Sequence, residues 1–192
     1  MHANTPSYQL LVIGGSAGSL SVVLKIIPLL KKEMNMAVII VFHRKSSEDN
    51  TLIDVLSSRT DFTVKETEDK DEIQPGVIYV APADYHVLIE KNKTISLDAS
   101  EKINYSRPSI DVTFESAAEA YTDSLICMLL SGANADGVQG LLIAKRLGAY
   151  IIIQDPQTAE VSYMPEQALQ KTQPHLLLNS DDSDQLLSVL TP

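Results

Sequence analysis

Tryptophan is absent from this chain and cysteine occurs once, as Cys127. One thiol forms no intrachain disulfide, so stability has to come from a packed core, and the usage fits a reducing compartment. Cys127 sits inside "SLICMLL", which reads as a buried strand and makes it an inert core thiol rather than a reactive one. Basic residues are also scarce, with 15 Lys and Arg against 25 Asp and Glu and a formal net charge of −10. That balance argues against the phosphate attraction of nucleic-acid binders and against docking on an anionic membrane. Long apolar runs are missing too. "AVIIVF" and "SLICMLL" are far too short to cross a bilayer. The opening "MHANTPSYQ" lacks the basic start and apolar core of a secretory signal. With no His-x-x-x-His or Cys-x-x-Cys spacing, no metal site is expected. These absences lead to the expectation of a cytoplasmic protein with no cofactor, no nucleic-acid partner and no direct membrane insertion.

What is present fits one domain. The chain has 192 residues, 44% of them hydrophobic, enough to bury a real core. A single catalytic-type domain is expected over residues 8–192 after a short tail of residues 1–7. "YQLLVIG" and "AVIIVFH" read as strands, and a helical period runs from Ser19 to about Lys32 and again over Thr51–Ser58. In the middle, "GVIYVAP", "YHVLIEK" and "KTISLD" are short strands between turns. The acidic "KETEDKDE" and "SDDSD" read as solvated surface. Then the βα rhythm resumes. "RPSIDVTFESAAEAY" is a helix with Pro108 in its first turn and Ser109 or Arg107 near its cap. "SLICMLLSG" is a strand, "ADGVQGLLIAKRLG" a helix closed by Gly148, and "YIIIQ" a strand. "PEQALQK", "HLLL" and "SDQLLSVL" finish the chain as helix, strand and helix. The expected fold class is α/β: a mostly parallel sheet with helices on both faces, and an antiparallel hairpin at one edge or end.

Sheets of this kind place ligands beyond the carboxyl ends of their strands. After the first strand stands "GGSAG", Gly14–Gly18, matching Gly-x-Ser-x-Gly, in which small neighbours let a tight turn project the serine above the sheet. Ser16 is therefore a candidate nucleophile; its plain alternative is a turn serine capping the helix. A dinucleotide site fits poorly. Its fingerprint wants glycine at positions 16 and 19, where the chain has serine, and an acid after the second strand, where it has His43-Arg44-Lys45. A serine nucleophile needs an adjacent base, and His43 ends the strand expected beside the first. A carboxylate should orient that imidazole. Asp136 in "GANADG" and Asp155 after "YIIIQ" both stand at strand ends, and residue chemistry does not choose between them. The order Ser…His…Asp differs from that of the α/β-hydrolases, but such triads are defined by geometry.

These residues also carry a resemblance. "VIGGSAGS", "FHR", "DKDEIQPGVIYVAPADYHVLIE", "RPSIDVTFESAAEAY", "LLSGANADGVQGL" and "YIIIQDPQTAEVSYMPEQA" follow one another in an order that resembles the catalytic domain of CheB-type chemotaxis methylesterases, over nearly the whole chain. The resemblance implies a parallel-sheet serine hydrolase acting on glutamyl methyl esters of chemoreceptors; glutamine deamidation is expected as a second activity, since amide and ester hydrolysis share a tetrahedral intermediate. It carries the triad to Ser16, His43 and Asp136, and so decides against Asp155. Ala17, Gly18, Ala133 and Arg107 become candidates for the oxyanion site or substrate groove.

The sequence departs from that family in several places. Relatives often have Ser-Thr-Gly-Gly where this chain has Ser16, Ala17, Gly18 and Ser19, and Gly-Met-Gly-x-Asp-Gly where it has "GANADG". Ala133 thus replaces a bulky groove residue, which puts substrate preference in question. "RKSS" stands in place of a proline-containing turn after the histidine. Arg107 either steers an acidic receptor segment or braces its loop. The expected partners are the methylated cytoplasmic domain of chemoreceptors, with a methyltransferase or a separate regulator as further ones. The first strand begins within about ten residues of Met1, so control by an attached receiver domain is not expected. Two other readings stand beside the esterase: a non-catalytic CheB-like scaffold binding receptor or methyltransferase, and a hydrolase of a different ester.

Overall fold

The computed structural model describes residues 8–44, 51–182 and 184–191. Seven strands form one parallel sheet: β1 (Leu10–Gly15), β2 (Ala37–Phe42), β3 (Thr63–Glu66), β4 (Val77–Val80), β7 (Leu125–Leu129), β8 (Tyr150–Gln154) and β9 (Leu176–Leu178). Their spatial order is β3-β4-β2-β1-β7-β8-β9, and every pairing is parallel. The helices are α1 (Ser19–Ile26), α2 (Thr51–Ser57), α3 (Ile110–Tyr121), α4 (Val138–Arg146), α5 (Tyr163–Lys171) and α6 (Asp184–Leu190).

Alternation along the strands explains the two helical layers, because successive side chains point to opposite faces. Leu10 and Val12 of β1, with Ile39 and Val41 of β2 and Cys127 and Leu129 of β7, pack under α3, α4 and α5. Leu11 and Ile13, with Val38 and Ile40, Ile126 and Met128, pack under α1, α2 and α6. Both faces are apolar, which is why these strands read as continuous hydrophobic runs. Helices lie on both faces of the sheet, as the alternating pattern implies.

Three local expectations need correction. The helix after β1 ends at Ile26 instead of running to Lys32, because Pro28 enters a 3₁₀ turn at Ile27–Leu29 and a second such turn follows at Lys32–Met34. Pro108 lies ahead of α3 rather than in its first turn; Ser109 is the N-cap. β3 lies partly within the acidic stretch that looked like plain surface. Its half-exposed residues pair with β4 at the sheet edge, and such an edge tolerates the charge that masked it. The antiparallel hairpin is β5 (His86–Ile89) with β6 (Ile95–Asp98), a separate two-stranded sheet. It rests on α3 through Val87, Ile89 and Ile95. Ser116 Oγ accepts the Ile89 N–H at 3.0 Å, and Thr113 Oγ1 donates to the Val87 carbonyl at 2.9 Å. The tail expected over residues 1–7, and most of "RKSS", lie outside the described residues.

The strand order reverses at β1. The chain moves outward through β2 and β4 on one side, and later through β7, β8 and β9 on the other. A crevice opens at such a point above the carboxyl ends of the strands. Three segments meet there: the turn after β1, the end of β2 and the loop after β7.

Candidate active site

Each of the three segments is held by backbone geometry before any side chain matters. Parallel register sets Gly15 opposite Phe42, so Ser16 and His43 follow on neighbouring strands, and the His43 N–H donates to the Gly15 carbonyl at 3.3 Å. The Ser16 N–H donates to the Ser131 carbonyl at 2.8 Å, tying the serine turn to the end of β7. The Ser16 carbonyl accepts the Ser19 hydroxyl at 2.6 Å. The turn is closed by Gly18 at φ 80°, where a Cβ would stand 2.5 Å from the Cβ of Glu160 and 2.8 Å from Ser131 Oγ. Only glycine takes that conformation in that space without displacing its neighbours. Ser131 braces the same turn, its hydroxyl donating to the Ala17 carbonyl at 2.7 Å.

On the far side stands Asp136, fully buried. Its Oδ2 is 2.7 Å from His43 Nε2 and accepts the Ile110 N–H at 2.7 Å. Its Oδ1 accepts the Ser109 hydroxyl at 2.9 Å and the N–H groups of Asp111 and Gly137 at 3.1 Å each. Burial pushes this carboxyl up, but the bonds from His43, Ile110 and Asp111 outweigh it and hold the group below its ordinary value. Asp136 is thus an anion at the N-terminus of α3, where unsatisfied N–H groups and the helix dipole favour one.

The favour is returned. Asp111, in the first turn of α3, accepts the Gly140 N–H of α4 at 2.7 Å and the Asn104 side-chain N–H at 3.0 Å. Each of the two helices is therefore capped by a carboxylate belonging to the other's starting segment. The two acids are shifted in opposite directions. Burial, reinforced by the negative Asp136 and opposed by the Gly140 bond, raises Asp111 to about 6.

Beside His43 lies a cavity of about 350 Å³, lined also by Arg44, Asp84, Lys102, Tyr105 and Arg107. Arg44 pairs with Glu66. Arg107 Nη1 donates to the carbonyls of Ala99 at 2.8 Å and Ser100 at 2.6 Å. Three cations thus line one opening of a chain whose net charge is −10.

Residues 11–186 match the family model for CheB methylesterase. The chain belongs to the CheB methylesterase family. A Leptospira interrogans relative is 44% identical over 166 residues, covering 86% of each chain. Proteins named protein-glutamate methylesterase/protein-glutamine glutaminase are 36% identical in Thermotoga maritima and 34% in Halobacterium salinarum. These matches cover 86% and 88% of this chain, which spans about half (49%) of the length of either relative. The crystal structure of the Thermotoga maritima CheB methylesterase catalytic domain superposes with a TM-score of 0.88 at 32% identity, covering 95% of this chain and 98% of that one.

In this CheB methylesterase chain the residues singled out from sequence fare differently. Ser16, His43 and Asp136 stand on the three converging segments, and Asp136 is the carboxylate on the imidazole. Asp155 is engaged elsewhere, capping a 3₁₀ turn at Pro156–Thr158 by accepting the Gln157 N–H at 2.9 Å. Ala17 and Gly18 follow Ser16, and no hydrogen bond to another described residue uses either N–H. Ala133 is exposed in the loop after β7, and Arg107 lines the cavity while bracing its own loop. Sequence reasoning missed His86, Ser109, Ser131 and Asp111. Only Ser109 carried a signal, its place in "RPS"; it is the N-cap expected there, and its hydroxyl points to Asp136 rather than to its own helix.

Proposed function

We propose that this chain is a cytoplasmic serine hydrolase that removes methyl esters from glutamyl side chains of chemoreceptors, releasing methanol. Glutamine deamidation is its second activity, because amide and ester share a tetrahedral intermediate. The observation that carries the reading is the 2.7 Å contact of His43 with buried Asp136, at the end of the strand beside the Ser16 turn.

With Nε2 on Asp136, Nδ1 is the His43 nitrogen left to take the Ser16 proton. Ser16 Oγ attacks the ester carbonyl as its proton moves to His43. The imidazolium gives that proton to the departing methoxide, which leaves as methanol. Water then attacks the acyl-serine with His43 again as base. The Ser16–acyl bond breaks, Ser16 regains a proton and the glutamate carboxylate departs. Asp136 holds the imidazole in one tautomer and stabilises its charged form. The N–H groups of Ala17 and Gly18, just before α1 and bonded to no other described residue, suit the developing oxyanion. Arg44, Lys102 and Arg107 suit the approach of an acidic receptor segment that the chain's own charge would repel.

The test is release of labelled methanol from receptor membranes carrying methylated glutamates, comparing the native chain with Ser16→Ala. Release by the native chain that the variant abolishes supports the reading. Absence of release, with Ser16 also inert to a serine-directed phosphonate, sinks it in favour of a binding scaffold. Phosphonate labelling without methanol release means a hydrolase of another ester.

A further inference from the structure

His86 is 1% exposed, and its imidazole serves neither a salt bridge nor plain packing. Its Nδ1 accepts the Ser109 N–H at 3.1 Å, and its Nε2 lies 2.9 Å from the Glu101 carbonyl. A backbone N–H only donates and a carbonyl only accepts. Both bonds therefore require one tautomer: bare Nδ1, protonated Nε2. The Ser109 N–H needs this partner, because an N-cap residue leaves its own N–H outside the helical ladder.

The continuation of the chain gives this bond its consequence. Ser109 Oγ donates to Asp136 Oδ1 at 2.9 Å, and Asp136 Oδ2 meets His43 Nε2 at 2.7 Å. The same carboxylate takes the N–H groups of Ile110 and Asp111, the two residues after Ser109. Every donor that α3 and its cap offer to Asp136 thus sits within two residues of the amide that His86 fixes. On its other side the carboxylate meets His43.

We propose that His86 is a positioning residue for the catalytic carboxylate. It anchors the N-cap of α3 through Ser109, and so sets the distance and angle at which Asp136 holds His43. This rests on the assignment of Ser16, His43 and Asp136 made above. A displacement of about an ångström at Asp136 would be felt in kcat rather than KM, because His43 transfers protons in the transition state and does not bind the substrate chain.

Two substitutions separate the bonds. In His86→Asn the side-chain carbonyl reproduces the acceptor at Nδ1 and gives up the donor to Glu101. In His86→Gln the amide nitrogen reproduces the donor at Nε2 and leaves the Ser109 N–H without its acceptor. Read-outs are the rate of Ser16 labelling by a serine-directed phosphonate, methyl-ester hydrolysis split into kcat and KM, and urea stability. The expectation is that His86→Asn retains labelling within about threefold of native. His86→Gln loses about tenfold in labelling and kcat with KM unchanged, tenfold being the factor for about 1.4 kcal/mol. Ser109→Ala in the His86→Gln background should add little, because both act on one path. Equal rates for the two variants at matched urea stability overturn the proposal, as do losses from His86→Gln and Ser109→Ala that add in full. Ser16→Ala in the same series guards the assignment beneath it. If that variant still hydrolyses ester, it is the Ser16–His43–Asp136 reading that has failed.

Discussion

Replacing Asp111 by Asn should change how stability depends on pH, with a sign that follows from the structure. Asp111 is 8% exposed and is raised from 3.8 to about 6, with burial as the main cause and Asp136 adding to it. A carboxyl raised on folding holds its proton more tightly in the native state. Native protein therefore binds more protons between the two values, and stability falls as pH rises through that window. A shift from 3.8 to about 6, at about 1.4 kcal/mol per unit, corresponds to roughly 3 kcal/mol. The Asp111→Asn variant keeps a carbonyl oxygen for the Gly140 N–H and has no proton to lose at that position. The assay is urea unfolding of both proteins at intervals from about pH 3 to about pH 7.5 at fixed ionic strength, spanning the window in which the two states differ. Differences between native and variant cancel the other titrating groups. The variant should gain on the native chain by roughly 3 kcal/mol between the acid end of that range and neutrality. A difference flat across the range would refute the account of Asp111 as a buried carboxyl facing another anion.

Two further outcomes test the geometry around Ser16 and the cavity. Gly18→Ala places a Cβ at φ 80° within 2.5 Å of Glu160 Cβ, so urea stability should fall by about 1–3 kcal/mol; an unchanged midpoint would mean the turn relaxes freely. Arg107→Ala removes two carbonyl contacts and should cost about 1–2 kcal/mol of stability. If Arg107 also guides acidic substrate, kcat/KM on receptor falls further at low salt than at high salt; a salt-independent ratio assigns it to bracing alone.

The sequence was most legible where a period was strong. β1, β2, β7 and β8 are continuous apolar runs because both faces are covered, and their carboxyl ends named the places to search. That Ser16 and His43 follow neighbouring strands could be read from strand adjacency alone. Asp136 could not be told from Asp155 by chemistry, since both are carboxylates in turns before helical segments. Only the path of α3 separates them: its N-terminus points at Asp136, while Asp155 turns back on Gln157. β3 was hidden because an edge strand with half its residues in solvent carries no apolar run. His86 opens a hairpin strand with no motif around it. Its importance depends on Ser109, 23 residues later, and no local pattern reports a contact of that span.

Helix capping by itself accounts for a buried Asp136. The carboxylate satisfies the start of α3, and Asp111 answers at the start of α4, so a fold with no chemistry to perform would still keep both acids. It would have no need of His43 on the same oxygen pair. Asp136 already accepts four donors from Ser109, Ile110, Asp111 and Gly137, three of them on Oδ1 and one on Oδ2, so the carboxylate is anchored without the imidazole. His43 is also only 14% exposed at its side chain, at the rim of a cavity and one strand from Ser16, where capping alone calls for no imidazole. The contact that argues for catalysis is therefore the fifth bond to Asp136, not the first four. The scaffold reading has to explain that bond before it can compete.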